Sequence, residues 1–155
     1  MRRTVLLCLA VALVLAPIGA SAEGIREQHP NLVFGEIGGK AVIVSAGYER
    51  YLNNHFGLGV GGVGWAASGG GIGLFPVYAS FISGEDAHNL YLSAGVTYFA
   101  GSDNWDENWT EWFGTFSAGY HFQSDGGFFV RPTMNLLYRG EDFIVIPGVS
   151  LGGCF

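Results

Sequence analysis

The chain has 155 residues and a formal net charge of −6 at pH 7, with 49% hydrophobic and only 13% charged residues. Soluble domains carry about 25% charged residues, so this composition, with its 26 glycines, favours a membrane protein. The few basic residues are scattered through an acidic chain, which argues against binding to nucleic acid.

The N-terminus has the pattern of a secretory signal peptide. Two arginines at positions 2–3 precede an apolar stretch over residues 5–16, and an Ala-Ser-Ala cleavage site follows at 20–22. The apolar stretch is shorter than the ~20 residues that a spanning helix requires, which argues against a retained anchor. We therefore predict a signal peptide over residues 1–22 and one mature domain over residues 23–155.

Residues 56–82 contain no charged side chain and are long enough for a transmembrane helix. They are, however, rich in glycine and include Pro76, and each glycine costs a helix about 1 kcal/mol relative to alanine. Large and small residues also alternate along them with a period of two. Two strands joined near residues 66–70 fit this pattern better than one helix.

The same period of two runs through the rest of the mature chain and predicts eight strands. The first spans residues 32–38 and the last 143–155. One face of each strand is expected to be apolar and to contact lipid, whereas the other is small or polar and lines the interior. In the fourth strand, one face carries Ile72, Leu74, Pro76 and Tyr78 and the other Gly71, Gly73, Phe75 and Val77.

An even number of strands places both chain ends on one side, which is periplasmic in a bacterial outer-membrane barrel. The turns at residues 52–55, 83–88 and 123–127 are then periplasmic, and they are rich in turn-forming residues. Residues 100–110 form the longest outer connection. The remaining outer loops, at 38–40, 66–70 and 139–142, are short. The predicted fold is all-β: an eight-stranded antiparallel up-and-down transmembrane β-barrel.

The last strand alternates up to the terminal residue, Phe155. A strand with one apolar face that ends at an aromatic residue is what outer-membrane barrels present to the barrel assembly machinery, so Phe155 is the predicted assembly signal. With Phe155 facing outward, Cys154 faces inward. Cys154 is the only cysteine left after cleavage, which excludes an internal disulfide.

The chain resembles the small eight-stranded outer-membrane barrels, the group that includes the OmpA transmembrane domain and the OmpX/Ail proteins. The resemblance covers the mature chain and rests on the signal peptide, the strand count, the hairpin over residues 47–61 and Phe155. It implies a monomer in the cell outer membrane of a Gram-negative bacterium. The implied partners are outer-membrane lipid, lipopolysaccharide and the assembly machinery.

Three charged residues, Glu36, Glu49 and Arg131, fall on strand faces assigned to the interior. The lumen of an eight-stranded barrel is just wide enough for side chains to fill it. Buried charges must pair, so we expect an ion pair between Arg131 and a carboxylate within a hydrogen-bonded plug. A general porin is excluded by this strand count; a gate or an ion path is the alternative role for these charges.

The outer connection carries the most distinctive local sequence, with the candidate interaction residues Trp105, Asp106, Glu107, Trp109 and Trp112. A plainer interpretation puts the last two tryptophans in the headgroup belt and leaves the acids in solvent. Carboxylates of this loop, including Asp103, could also bind calcium, although the spacing does not match an EF-hand. Exposed aromatic rings suit a glycan or a protein partner.

No catalytic, metal or cofactor site is predicted. Ser117 and His121 share a strand face but lie about 13 Å apart along it, too far for a nucleophile and its base. The favoured function is a structural or interaction role for a plugged barrel, and the chain is not expected to be an enzyme. The alternatives are a soluble secreted or periplasmic lipocalin-like ligand-binding barrel and an outer-membrane lipid-modifying enzyme.

Overall fold

The computed structural model describes residues 24–67, 70–103 and 108–155. Eight antiparallel strands close into a barrel in which each strand pairs with its neighbours in sequence and β1 pairs with β8. The strands are β1 (Asn31–Gly38), β2 (Val44–Tyr51), β3 (Phe56–Ala67), β4 (Gly70–Ile82), β5 (His88–Asp103), β6 (Asn108–Gln123), β7 (Phe128–Arg139) and β8 (Asp142–Cys154). A short helix, α1 (Ile25–Gln28), precedes β1, and a 3-10 helix (Gly39–Ala41) connects β1 to β2.

The predicted fold is confirmed, whereas the predicted signal peptide at 1–22 lies outside the described residues. Among the described residues, no helix has the length and apolar character needed to cross a membrane.

Side chains alternate between the two faces of the barrel wall in the predicted order in most strands. On β2, Val44 is exposed on the outer face whereas Glu49 is fully buried inside. On β7, Met134 is exposed and Arg131 is buried. Because successive side chains of a strand point to opposite faces, one burial assignment per strand orients all its residues.

Strand β4 departs from the expected assignment, because both of its faces carry large apolar residues. Leu74 and Tyr78 are buried inside the barrel, and Phe75 and Val77 face outward. Alternation alone therefore could not orient this strand. The orientation is fixed by packing: the Tyr78 ring lies where a Cβ at Gly59 would stand, so the opposite glycine gives this ring its space.

One end of the barrel, here called the turn end, holds the short connections 52–55, 83–87 and 124–127, as predicted. Both β1 and the chain terminus lie there, joined by the Asn31 amide, which donates to the Phe155 carbonyl at 3.0 Å. An apolar cluster fills the interior near this end: Leu32, Phe34, Tyr51, Tyr78, Ile82, Tyr91, Phe129 and Cys154.

At the other end, here called the loop end, the predicted long connection over residues 100–110 is wrong in extent. Strand pairing continues through Gly101↔Trp109 and Ser102↔Asn108, and of this connection residues 104–107 lie outside the described chain. Glycine, serine, aspartate and asparagine have low strand propensity, so the sequence predicted a loop. The ladder between β5 and β6 overrides that preference.

The short loop predicted at residues 38–40 turns into the barrel instead of outward. Gly39, Lys40 and Ala41 are all buried, and Gly38 and Gly39 adopt φ of 71° and 74°. A side chain at Gly39 would meet the carboxylate of Glu36, so glycine permits this inward turn. The 3-10 helix therefore lies inside the barrel, in contact with β3, β4, β7 and β8.

Candidate functional site

The centre of the barrel contains an ion pair between β2 and β7. Arg131 Nη1 donates to Glu49 Oε2 at 2.6 Å, and both side chains are almost completely buried. The Ser80 hydroxyl donates to Glu49 Oε1 at 2.6 Å and the Tyr78 hydroxyl to Oε2 at 3.1 Å. Each oxygen of this carboxylate therefore has a donor, which offsets much of the cost of burying the charge.

The rest of the Arg131 guanidinium is held by aromatic and imidazole groups. Its Nε donates to His121 Nδ1 at 3.1 Å, and its Cζ lies 4.0 Å from the centre of the Tyr91 ring. Since arginine can only donate, Nδ1 of His121 must accept, and the ring proton belongs on Nε2. That nitrogen lies 3.3 Å from both the Tyr51 hydroxyl and the Gln123 side-chain oxygen.

Glu36 faces the interior, as predicted, but does not join the Arg131–Glu49 pair. Its Oε1 accepts from the Ser150 hydroxyl at 3.1 Å and its Oε2 from the Lys40 amide at 3.3 Å. The Lys40 side chain points into the lumen, with Nζ 4.4 Å from the centre of the Tyr78 ring. Sequence reasoning missed Lys40; the only signal for it was the Gly-Gly step that lets the chain turn inward.

These side chains belong to a larger buried set, here called the polar lumen. It consists of the inward-facing residues Glu36, Ser45, Glu49, Ser80, Ser93, Thr97, Thr115, Ser117, His121, Gln123, Arg131, Thr133, Asn135 and Ser150. The described part of the chain therefore carries a set of buried hydrogen-bonding groups on the inner face of the barrel.

Ser117 and His121 bond to different partners. The Ser117 hydroxyl donates to Asn135 Oδ1 at 2.6 Å, whereas His121 is engaged by Arg131. The arrangement needed to activate a serine, in which the imidazole accepts the hydroxyl proton, is not formed by this pair.

Below the polar lumen, α1 folds against the turn end of the barrel. Arg26 is fully buried there, and its Nε donates to the Asn54 carbonyl at 2.6 Å. Burial lowers the pKa of the Arg26 guanidinium below its usual range. The burial of Arg26 was not predicted from the sequence, because it depends on how the N-terminal segment packs against a turn.

Above the polar lumen, the inner face of the wall becomes apolar. Pairing aligns Ile72 with Gly101, Leu74 with Phe99 and Leu137 with Ile144, and directly paired residues share a face. We call this region the loop-end vestibule and define it by its inward-facing apolar residues Val63, Trp65, Ile72, Leu74, Phe99, Trp109, Phe113, Leu137, Ile144 and Ile146. The same face also carries the charged residues Glu111 and Arg139.

The candidate outer-loop residues fall on both faces. Trp109 faces the vestibule and packs over Gly101, whereas Trp112 faces outward against Tyr98, with ring centres 4.6 Å apart. Trp105, Asp106 and Glu107 lie outside the described residues. Within the described ranges, no group of three metal-ligating side chains comes together.

An ion pair of the loop end joins neighbouring strands. Arg139 Nη1 lies 2.7 Å from Glu111 Oε2, with the two side chains 56% and 30% exposed. Such a solvent-accessible pair contributes little to stability. Both residues belong to the inner face of the wall: Glu111 is paired with Phe99, and the Arg139 guanidinium lies 5.8 Å from the centre of the Phe113 ring.

No protein-family model matches the sequence, and no curated protein matches it either. Among solved structures, the chain is similar to the N-terminal β-barrel domain of Pseudomonas aeruginosa OprF, with a TM-score of 0.62 and 18% identity. That match covers 81% of this chain and 95% of the other. The chain is also similar to the Yersinia pestis outer membrane protein Ail in a phospholipid bilayer nanodisc, with a TM-score of 0.51 and 11% identity over 82% of this chain and 99% of the other. It therefore has the fold of the small outer-membrane β-barrels.

Proposed function

We propose that this chain is an integral barrel of the bacterial outer membrane, where lipid and lipopolysaccharide surround it. The observation that carries the proposal is its apolar outer face. Large apolar side chains are exposed around the whole wall, among them Val33, Ile37, Val60, Phe75, Val77, Leu90, Val96, Phe116, Met134, Val149 and Leu151. A soluble protein rarely exposes so large an apolar surface, because water would oppose it.

The interior supports a closed barrel rather than a general porin. Eight strands leave a lumen that side chains can fill, and here it contains the Arg131–Glu49 pair and the polar side chains around it. A soluble lipocalin-like barrel would reverse this distribution, with an apolar cavity along its length and a polar outside. The structural role favoured by the sequence therefore remains the better proposal, and a monomer suffices for it.

Interaction through the β5–β6 hairpin is the second part of the proposal. These two strands are the longest of the barrel, with 16 residues each, and their pairing continues to Ser102↔Asn108. Trp112 on its outer face is suited to the headgroup region, where amphipathic rings are favoured. A glycan or protein partner at the tip would contact acidic and aromatic groups.

An enzyme is not proposed, because Ser117 and His121 are committed to different hydrogen bonds. Phe155 is proposed as the assembly signal: it is exposed and follows the last residue of β8. A machinery that recognises the terminal strand would find this ring on the lipid side.

Extraction and gel mobility test the membrane proposal together. Envelopes of cells that express the chain are washed with alkaline carbonate, and the protein is then run on gels with and without boiling. An integral barrel stays in the pellet and migrates faster unboiled, because the closed sheet resists detergent. Release by carbonate without detergent would refute the proposal, and planar-bilayer conductance of the refolded protein tests whether the lumen is closed.

A further inference from the structure

The loop-end vestibule presents apolar side chains that the described chain does not cover. Trp65 is 73% exposed, Ile144 59% and Trp109 40%, although all three lie on the inner face of the wall. The interior of a transmembrane barrel is normally polar, so an exposed apolar inner face calls for an apolar occupant.

The wall around the vestibule is low on one side. The last β1 residue paired with β8 is Gly38, opposite Gly148, and residues 142–147 of β8 continue past it. On the other flank, the pairing of β2 with β3 ends at Ala46↔Gly62, and residues 63–67 of β3 continue past it. The β1–β2 hairpin therefore ends before its neighbours and leaves a sideways opening between β8 and β3.

The rim of this opening is apolar. Val42, Ile43 and Val44 at the hairpin tip are 39%, 63% and 54% exposed. A hairpin tip in water normally carries polar residues, as the β7–β8 tip does at positions 139–142. Val42 even holds a φ of 71°, which is strained for a β-branched residue. An apolar tip is favourable when it lies in hydrocarbon, so the low rim borders the lipid rather than water.

Outward aromatic residues agree with that placement. Tyr98 pairs with Trp112, and Tyr138 pairs with Phe143, on the higher part of the wall. Aromatic belts mark the membrane–water interface. The low rim lies below this belt, so the vestibule opens toward the lipid there, and the inward-turned 3-10 helix lies beneath it, where Lys40 is buried against Tyr78.

We propose that the vestibule binds an acyl chain of a lipid from the surrounding outer leaflet, which enters over the β1–β2 hairpin. The exposed apolar side chains of Val42, Ile43 and Val44 border the opening, so an acyl chain that enters there meets apolar groups first. The charged Arg139–Glu111 pair lies on the inner face of β6 and β7. The proposal rests on the membrane location proposed above. It gives the loop end a ligand-binding role that is independent of the tryptophan- and acid-rich tip.

Single-tryptophan variants test it in bilayers of phospholipids with brominated acyl chains, which quench tryptophan fluorescence on contact. Trp65→Phe/Trp105→Phe/Trp112→Phe retains Trp109 in the vestibule, and Trp65→Phe/Trp105→Phe/Trp109→Phe retains Trp112 on the outer face. A third variant replaces all four tryptophans by phenylalanine and carries Tyr91→Trp. Its tryptophan occupies a buried inner position and measures how far lipid outside the barrel quenches fluorescence through the wall. We expect strong quenching of Trp109 and Trp112 and little at position 91.

Rim variants then identify the route. Ile43→Glu places a charge on the low rim and should remove most of the quenching of Trp109 while leaving that of Trp112 unchanged. Tyr138→Glu, an equal charge on the outer face away from the opening, should change neither. Heat-modifiable mobility verifies folding of each variant, and Ile43→Ser replaces Ile43→Glu if the charged variant does not assemble.

Three results would overturn the inference: quenching of Trp109 by aqueous acrylamide but not by brominated lipid, protection of Trp109 from both, or equal effects of the two rim variants. A free fatty acid that quenches from water while bilayer lipid does not would also contradict it. Failure of the membrane proposal itself would give a different result, because brominated lipid would then quench the fluorescence of neither Trp109 nor Trp112.

Discussion

The polar lumen and the loop-end vestibule are two parts of one inner surface, built from the same strands with the same alternation. In the polar lumen, Glu49 and Arg131 are buried and their charges meet at 2.6 Å. In the vestibule, Ile144 and Trp109 are exposed and face space that no described side chain fills. An inward position in a small barrel therefore does not by itself imply a polar residue. The inner surface is divided between buried polar groups and an apolar wall that the described residues leave exposed.

The largest effect is expected from breaking the central ion pair. Arg131→Met leaves Glu49 buried without a compensating charge, which should lower the free energy of unfolding by about 3–5 kcal/mol. Urea unfolding of the barrel in lipid vesicles, followed by gel mobility, measures the change. The control is Glu49→Gln/Arg131→Met, which removes both charges and should recover most of the loss. Unfolding of the single variant at the wild-type urea concentration would show that the polar lumen does not depend on this pair.

A charge on the outer face tests whether that face contacts lipid, as the assignment of the two inner regions requires. Met134 faces outward in the middle of β7, so Met134→Arg should cost about 2–4 kcal/mol in a bilayer, whereas Tyr138→Arg near the aromatic belt should cost about 0–1 kcal/mol. The same unfolding experiment compares them. Equal costs would contradict the depth assigned to the two residues.

Removing one hydrogen-bond donor tests how closely the polar lumen is organised. Ser80 donates to the carboxylate of Glu49 at 2.6 Å, so Ser80→Ala should cost about 1.5–3 kcal/mol. Ser93 is the matched control, because it is equally buried and its hydroxyl has no hydrogen-bond partner among the described residues. Ser93→Ala should therefore be nearly neutral. If the two substitutions lower the free energy of unfolding equally, the hydrogen bond from Ser80 to Glu49 does not contribute more than burial of the side chain.

The smallest effect is expected in the vestibule. Ile144 is 59% exposed, so Ile144→Ser should change the free energy of unfolding by no more than about 0.5 kcal/mol. Leu137, its paired neighbour, is only 6% exposed, and Leu137→Ser should cost clearly more. Thermal unfolding in detergent compares the two. A large loss for Ile144→Ser would mean that the chain itself covers this wall, and the contrast between the two inner regions would disappear.

Much of the barrel could be predicted because a strand has a fixed period of two. Once Phe155 was taken as outward, the position of Cys154 followed, and it is buried as expected. The same rule placed Glu49 and Arg131 inside. It failed for β4, where large apolar residues occupy both faces and only the space beside Gly59 decides which face holds Tyr78.

The extent of the candidate sites could not be predicted in the same way. Trp109 was assigned to a loop because the residues around it favour turns, but cross-strand pairing with Gly101 places it on the inner face. Lys40 and Arg26 were overlooked because their burial depends on the 3-10 helix turning inward and on α1 packing against Asn54. Such contacts join residues that are distant in the chain, and no local pattern records them.

By itself, the sequence determined the number of strands, their alternation and the two faces of most of them, since these follow from the spacing of side chains along an extended backbone. Only the tertiary structure decided which carboxylate pairs with Arg131. Both Glu36 and Glu49 face inward, but the register around the closed barrel brings Glu49 to the guanidinium and leaves Glu36 beside Ser150 and the Lys40 amide. The low wall at β1–β2 also emerges only when β8 and β3 are seen to continue past the hairpin, because a height difference is a relation between strands.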